Sequence, residues 1–133
     1  MNKRFLLSVV VVFILLVGLG FLVHGYLLNS DYTQLTSLFR AEQDQGKYFP
    51  FMLLAHLVTA LALVAIYLRG REDKPFLAQG IRFGLTIAAL AVIPKFLIYY
   101  AVQPMPGIVV FKQIVFDTLA VTVIGIVIAR INK

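Results

Sequence analysis

Six side chains able to carry a proton, an ion or a hydrogen-bonded ligand lie inside stretches that are otherwise apolar: His24, His56, Lys95, Tyr99, Gln113 and Asp117. Their types bound the chemistry. Imidazoles exchange protons near neutral pH or ligate metals. A carboxylate and an ammonium make an ion pair, while a phenol and an amide fill leftover hydrogen bonds. Absences bound it further: with no cysteine in the chain, thiolate nucleophiles, disulfides and cysteine metal sites are excluded. There is no H-E-x-x-H, no phosphate-cradling glycine loop and no nucleophile–base set. No catalytic residue is therefore assigned.

An ionisable group at the middle of a bilayer costs about 2.5–3.5 kcal/mol on insertion scales, so it needs a partner. Asp117 is too short to reach an interface, which makes Lys95 its expected partner, with His56, Tyr99 and Gln113 completing the hydrogen bonds. His24 and His56 are expected to approach each other from adjacent helices. His24, His56 and Asp117 come from three helices with no metal-ligand spacing, so neither a metal nor a cofactor is expected. A b-type haem held by the two histidines is the less favoured alternative.

The elements that position these groups follow from composition. Of 133 residues, 61% are hydrophobic and 14% charged, with a mean hydropathy of +0.93. One small domain cannot hide that much apolar surface from water, so lipid must cover it. Four spans emerge, at about residues 5–28, 49–68, 81–102 and 108–129, forming a single transmembrane domain over 1–133. The expected fold is all-α, an antiparallel bundle of four transmembrane helices. The opening NKRFLLSVVVVFILLVG is signal-like, but no A-x-A-like site follows, so it is read as a retained helix.

Most lysines and arginines fall at the span ends that share a side with the N-terminus, Lys3, Arg4, Arg69, Arg71, Lys74, Arg82, Arg130 and Lys133 among them. The positive-inside rule then puts both termini in the cytoplasm. Lys112 is expected to snorkel to outer phosphates and Arg82 to inner ones. In the first outer loop, Asp31 and Gln34 form a cap-like pair, Gly46 is stop-like, and Leu35, Leu38 and Phe39 share a face. A short amphipathic outer helix from about Tyr32 to Gln45 is expected.

On the third span, Gly80, Gly84, Ala88, Ala91, Lys95, Tyr99 and Gln103 recur at spacings of three and four, one face of a regular helix. Gly80, Gly84 and Ala88 are its close-packing part. Pro94 removes the donor for the Leu90 carbonyl, predicting a kink there. HLVTALALVAIYLR (56–69) and DTLAVTVIGIVIAR (117–130) match in apolar pattern, which suggests two tandem helical hairpins.

FLVHGYLL, LLAHLVTA, the RG that ends the second span, GIRFGL and YYAVQPMPG together resemble a family of small bacterial four-helix inner-membrane proteins of unknown function. That resemblance implies a four-span fold and carries over no catalytic residue. The leading functional expectation is a non-enzymatic accessory or oligomeric component of the inner membrane. Its partners would be the lipid bilayer and a homo-oligomer or larger complex, not nucleic acid. The alternative is a protein that binds or translocates a small ligand, ion or proton through Lys95, Asp117 and His56.

Overall fold

The computed structural model describes residues 2–133, which are all-α, 86% helical and without strands. Four helices are long and apolar enough to cross a membrane: Lys3–Leu27, Glu42–Gly70, Phe76–Val102 and Gly107–Ile131. Only 22% of the most apolar window is buried in each of the first three, and 28% in the fourth. Most of this apolar surface thus faces outward, where only lipid or another protein can shield it. The chain is a multi-pass membrane protein.

The ends of the helices follow from local chemistry. The Asn2 side chain accepts the Arg4 N–H at 3.0 Å, capping the first span. The second opens with Glu42 and Asp44 in its first turn and closes with Arg69 in its last, both favourable to the helix dipole. Because it begins at Glu42, Gly46 lies inside this helix and does not stop one. Pro75 and Pro106 precede the third and fourth spans, and the extended Gln103 ends the third.

The fourth span is central. It packs most extensively on the third, then on the first, and only slightly on the second, while the first also packs on the second. Second and third spans scarcely approach along their backbones; Tyr67 and Phe83 meet edge-on between them, with ring centres 5.3 Å apart. The core runs through Val12, Ala60, Val64, Ile124, Ile128 and Ala129, each at most 1% exposed. A side chain at Gly80 would collide with the backbone of Ile126, one at Gly84 with Thr122, and one at Gly125 with Gly80. Glycine on both helices is what permits that approach.

Two π-helical turns change which residues face inward. One spans Phe21–Leu27 and the other Ala88–Val92. In a regular α-helix, steps of four residues drift by about 40° each, so four steps turn a stripe roughly 160° away. A π turn holds more residues and takes the drift back. The buried stripe of the third span therefore continues from Gly80, Gly84 and Ala88 to Val92 and Phe96. Ala91, Lys95, Tyr99 and Gln103, expected on that face, are exposed. Pro94 lies just beyond the π turn, so its missing N–H is accommodated by widening the helix.

Residues 28–41 do not form the expected outer helix. A single helical turn at Asn29–Tyr32 and a 3₁₀ turn at Thr36–Leu38 are followed by extended backbone at Phe39. Leu28 is fully buried, and Tyr32, Leu35 and Leu38 pack against the core. Burying those side chains favours folding the segment inward over a continuous surface helix. We call the end covered by this segment the distal end. The opposite, terminal end gathers residues 2–4, 71–75 and 130–133, since Arg4 and Arg71 donate to the carbonyls of Lys133 and Asn132.

Candidate functional site: a hydrogen-bonded chain ending on Asp117

The π turn of the first span keeps a four-residue stripe inward through Ser8, Val12, Leu16, Gly20, His24 and Leu28. It thereby directs His24 at the fourth span, where His24 Nε2 lies 3.0 and 3.1 Å from the two Asp117 carboxylate oxygens. On the other side of the ring, His24 Nδ1 is 2.7 Å from the Tyr32 hydroxyl, and the Gln113 amide donates to that hydroxyl at 3.0 Å. The imidazole stacks within 4° of parallel to the Tyr32 ring and tilts against Phe96. Gln113 and Asp117 share a helix face, four residues apart. Asp117 lies about 15 Å along its helix from Gly107, near mid-span.

One proton arrangement satisfies every donor. Gln113 donates to Tyr32, Tyr32 donates to Nδ1 of His24, and Nε2–H of His24 donates to Asp117. All the bonds run in one direction and end on the carboxylate; this tautomer follows from the network. Burial pushes the Tyr32 phenol above its usual value near 10, the Gln113 hydrogen bond opposes that, and the negative charges of Asp117 and Asp31 add to it. The phenol is thus held as a neutral donor.

A second pair covers the cluster. Lys112 Nζ lies 3.1 Å from both Asp31 oxygens, tying residues 28–41 to the fourth span. Lys112, expected to snorkel, is half-buried and paired instead. With Asp31 and Lys112 neutralising each other, Asp117 has no lysine or arginine within 4 Å among the described residues. The cluster thus carries one negative charge while His24 is neutral and none once His24 is protonated.

The expected pairing of Lys95 with Asp117 does not form. His24 takes that place, and the Lys95 ammonium sits 4.5 Å from the centre of the Phe96 ring, on the exposed side. The cause is the π turn, which directs Phe96 inward and Lys95 out. His56 packs near Gly20, within electrostatic range of Lys95, and Tyr99 is 47% exposed. Of the six residues singled out by type, the structure brings together His24, Gln113 and Asp117. His56, Lys95 and Tyr99 lie outside their hydrogen-bonded chain.

Both ring nitrogens of His24 are engaged within the protein, so neither is turned toward a haem or a metal in this conformation. Among the described residues no group of three His, Cys, Asp or Glu is arranged to hold an ion. Sequence reasoning missed Tyr32, Asp31 and Lys112 as site residues. The available signal was the apolar face of Leu35, Leu38 and Phe39 beside Tyr32, which favours a segment that folds inward. No protein-family model, curated protein or solved structure matches the chain, so what the site does must be read from its geometry.

Proposed function

We propose that the chain is a non-enzymatic component of a bacterial inner membrane whose distal cluster holds one exchangeable proton on the His24–Asp117 pair. In this reading the four helices form one antiparallel domain built of two tandem hairpins, with both termini in the cytoplasm. A π turn in the first helix of each hairpin supports the tandem relation. The charge distribution supports the orientation: eight of the twelve lysines and arginines lie at the terminal end, against two of the six acidic residues.

The observation that carries the proposal is the uncompensated carboxylate of Asp117 held by an imidazole near mid-span. A single proton removes the net charge of the cluster. Binding is favoured over conduction. Between the cluster and the terminal end the interior is closed by Val12, Ala60, Val64 and Ile124, so the proton exchanges on the distal side alone. Within the series Gln113, Tyr32, His24 and Asp117 each link is a donor meeting an acceptor, so these four side chains hold one another rather than a reacting group.

Infrared difference spectra of the protein in lipid bilayers, taken between neutral and acid pH, test this reading. The proposal requires a carboxylate band that disappears in Asp117→Asn together with an altered histidine band, because the His24 Nε2–H has lost its charged acceptor. Bands unaffected by that substitution would refute it. For the orientation, Asp44→Cys should react with an impermeant reagent in intact cells and Glu72→Cys should not; the reverse pattern would overturn the topology.

A further inference from the structure

The terminal end holds a separate cleft of about 660 Å³, with Arg4, Arg71, Lys74 and Lys133 on its walls and Phe76 and Tyr67 among its apolar lining. Its two guanidiniums are built into place. Arg4 donates one N–H to the Lys133 carbonyl at 3.4 Å, and Arg71 donates one to the neighbouring Asn132 carbonyl at 2.9 Å. Asn132 is itself fixed, since its buried amide donates to Ser8 Oγ at 2.8 Å and to the Ile128 carbonyl at 2.9 Å. An arginine offers five N–H donors, so most of each fork stays available for an anion. Neither fork has an Asp or Glu side-chain carboxylate within 4 Å among the described residues.

Four basic side chains line this cleft against two acidic ones, Glu72 and Asp73, so its side-chain charge is net positive. Glu72 is taken by Lys74 and Arg82, and the Lys74 hydrogen bond beside it holds its carboxyl below the usual range. The wall is also rigid. Gln79, 9% exposed, accepts the Glu72 N–H at 2.8 Å and donates to the carbonyls of Glu72 and Lys74, stapling the 71–75 turn. Lys133 and Arg130 lie over the Phe76 ring.

Beside the cleft, sharing Tyr67 and Gln79 as lining, a smaller cavity of about 190 Å³ opens between the second and third spans past Ile66 and Phe83. These are the two spans that scarcely approach each other. A basic cleft thus continues into a groove between these helices, with Ile66, Tyr67 and Phe83 as its apolar contacts and Arg82, Gln79 and Thr86 as its polar ones.

We propose that this end of the molecule binds an anionic phospholipid, with its phosphate on Arg4 and Arg71 and an acyl chain in the groove between the second and third spans. Planar guanidiniums grip phosphate oxygens through paired N–H bonds, and basic pockets between transmembrane helices suit anionic headgroups. The groove decides for a lipid over a soluble phosphate, since only a lipid fills both parts. The distal cluster plays no part in this site.

Native mass spectrometry and thermal unfolding of the detergent-solubilised full chain test the proposal with phosphatidylglycerol, phosphatidylcholine and inorganic phosphate as probes. Phosphatidylglycerol should bind and raise the unfolding temperature, and neither of the other two should match it. Arg4→Gln and Arg71→Gln should each weaken phosphatidylglycerol binding about tenfold, as expected for one charge-assisted contact. Lys47→Gln, at the distal end, should leave it unchanged. Because the arginine variants also lose packing contacts, Lys74→Gln and Phe83→Trp provide a second measurement: the first lowers headgroup affinity, the second obstructs the groove. Equal stabilisation by inorganic phosphate, equal binding of phosphatidylcholine, or undiminished affinity in the double arginine variant would each overturn the proposal.

Discussion

Replacing His24 with phenylalanine keeps a ring between Tyr32 and Phe96 but removes both of its hydrogen bonds, and the cost can be worked from the structure. Asp117 loses its hydrogen-bond donor, an imidazole 3.0 Å away. Breaking a fully buried pair costs about 3–5 kcal/mol, whereas a hydrogen bond to a charged group is worth about 1.5–3. The two side chains are 35% and 17% exposed, which moves the expectation to the lower range, about 2 kcal/mol, or roughly 30-fold in the folding equilibrium. Asp117→Leu should cost a similar amount, because it strands Nε2–H of His24. The double variant removes both stranded groups, so its loss should fall short of the sum by at least about 1 kcal/mol. Equilibrium unfolding in mixed detergent micelles measures all three. A parallel cycle of Lys95→Met with Asp117→Leu should be additive, since Lys95 faces outward. Additivity in the His24 cycle, or coupling in the Lys95 cycle, would refute the assignment of the pair.

Three further outcomes follow from particular contacts. Gly84→Ala drives a methyl into the Thr122 backbone and should cost about 1–3 kcal/mol by overpacking. Gly18→Ala, with nothing near its side, should be neutral or stabilise by up to about 1 kcal/mol; unfolding of both variants in one detergent makes the comparison. Lys112→Gln releases Asp31, so residues 29–41 should exchange amide hydrogen and be cleaved by protease faster, with the four spans unaffected. Tyr32 gives an alkaline signature. Its folded value lies above the unfolded one near 10, so the unfolded state loses its proton first and stability falls as pH rises past about 10. Tyr32→Phe should flatten that fall, as unfolding midpoints across alkaline pH will show.

The four spans were legible because long apolar runs have one physical explanation, and the polar residues inside them stood out for the same reason. Which of those residues meet was not legible. A regular helical period put Lys95 on the face of Gly80, Gly84 and Ala88; the π turn at Ala88–Val92 replaced it with Phe96. Pro94 marked the irregularity but not its form, since a kink and a widened turn both accommodate a missing N–H. Residues 32–45 read as an amphipathic helix by local pattern. The actual path of residues 28–41 is set by tertiary burial of Leu28, Leu35 and Leu38 and by the Asp31–Lys112 pair, contacts between residues about eighty apart that no local pattern encodes. Likewise, the glycines of the third span invited a close neighbour without naming it, and Gly125 of the fourth completes that contact.

The proton held between His24 and Asp117 is the centre of the account, and nitrogen-15 NMR of the histidines in lipid bilayers observes it directly. With only two histidines in the chain, His56→Gln leaves a single imidazole to follow. The account predicts that the neutral ring carries its proton on Nε2, that both nitrogens are protonated in acid, and that Asp117→Leu shifts the Nε2 resonance because its carboxylate acceptor is gone. A ring protonated on Nδ1 when neutral, or an Nε2 resonance unchanged in Asp117→Leu, would contradict it.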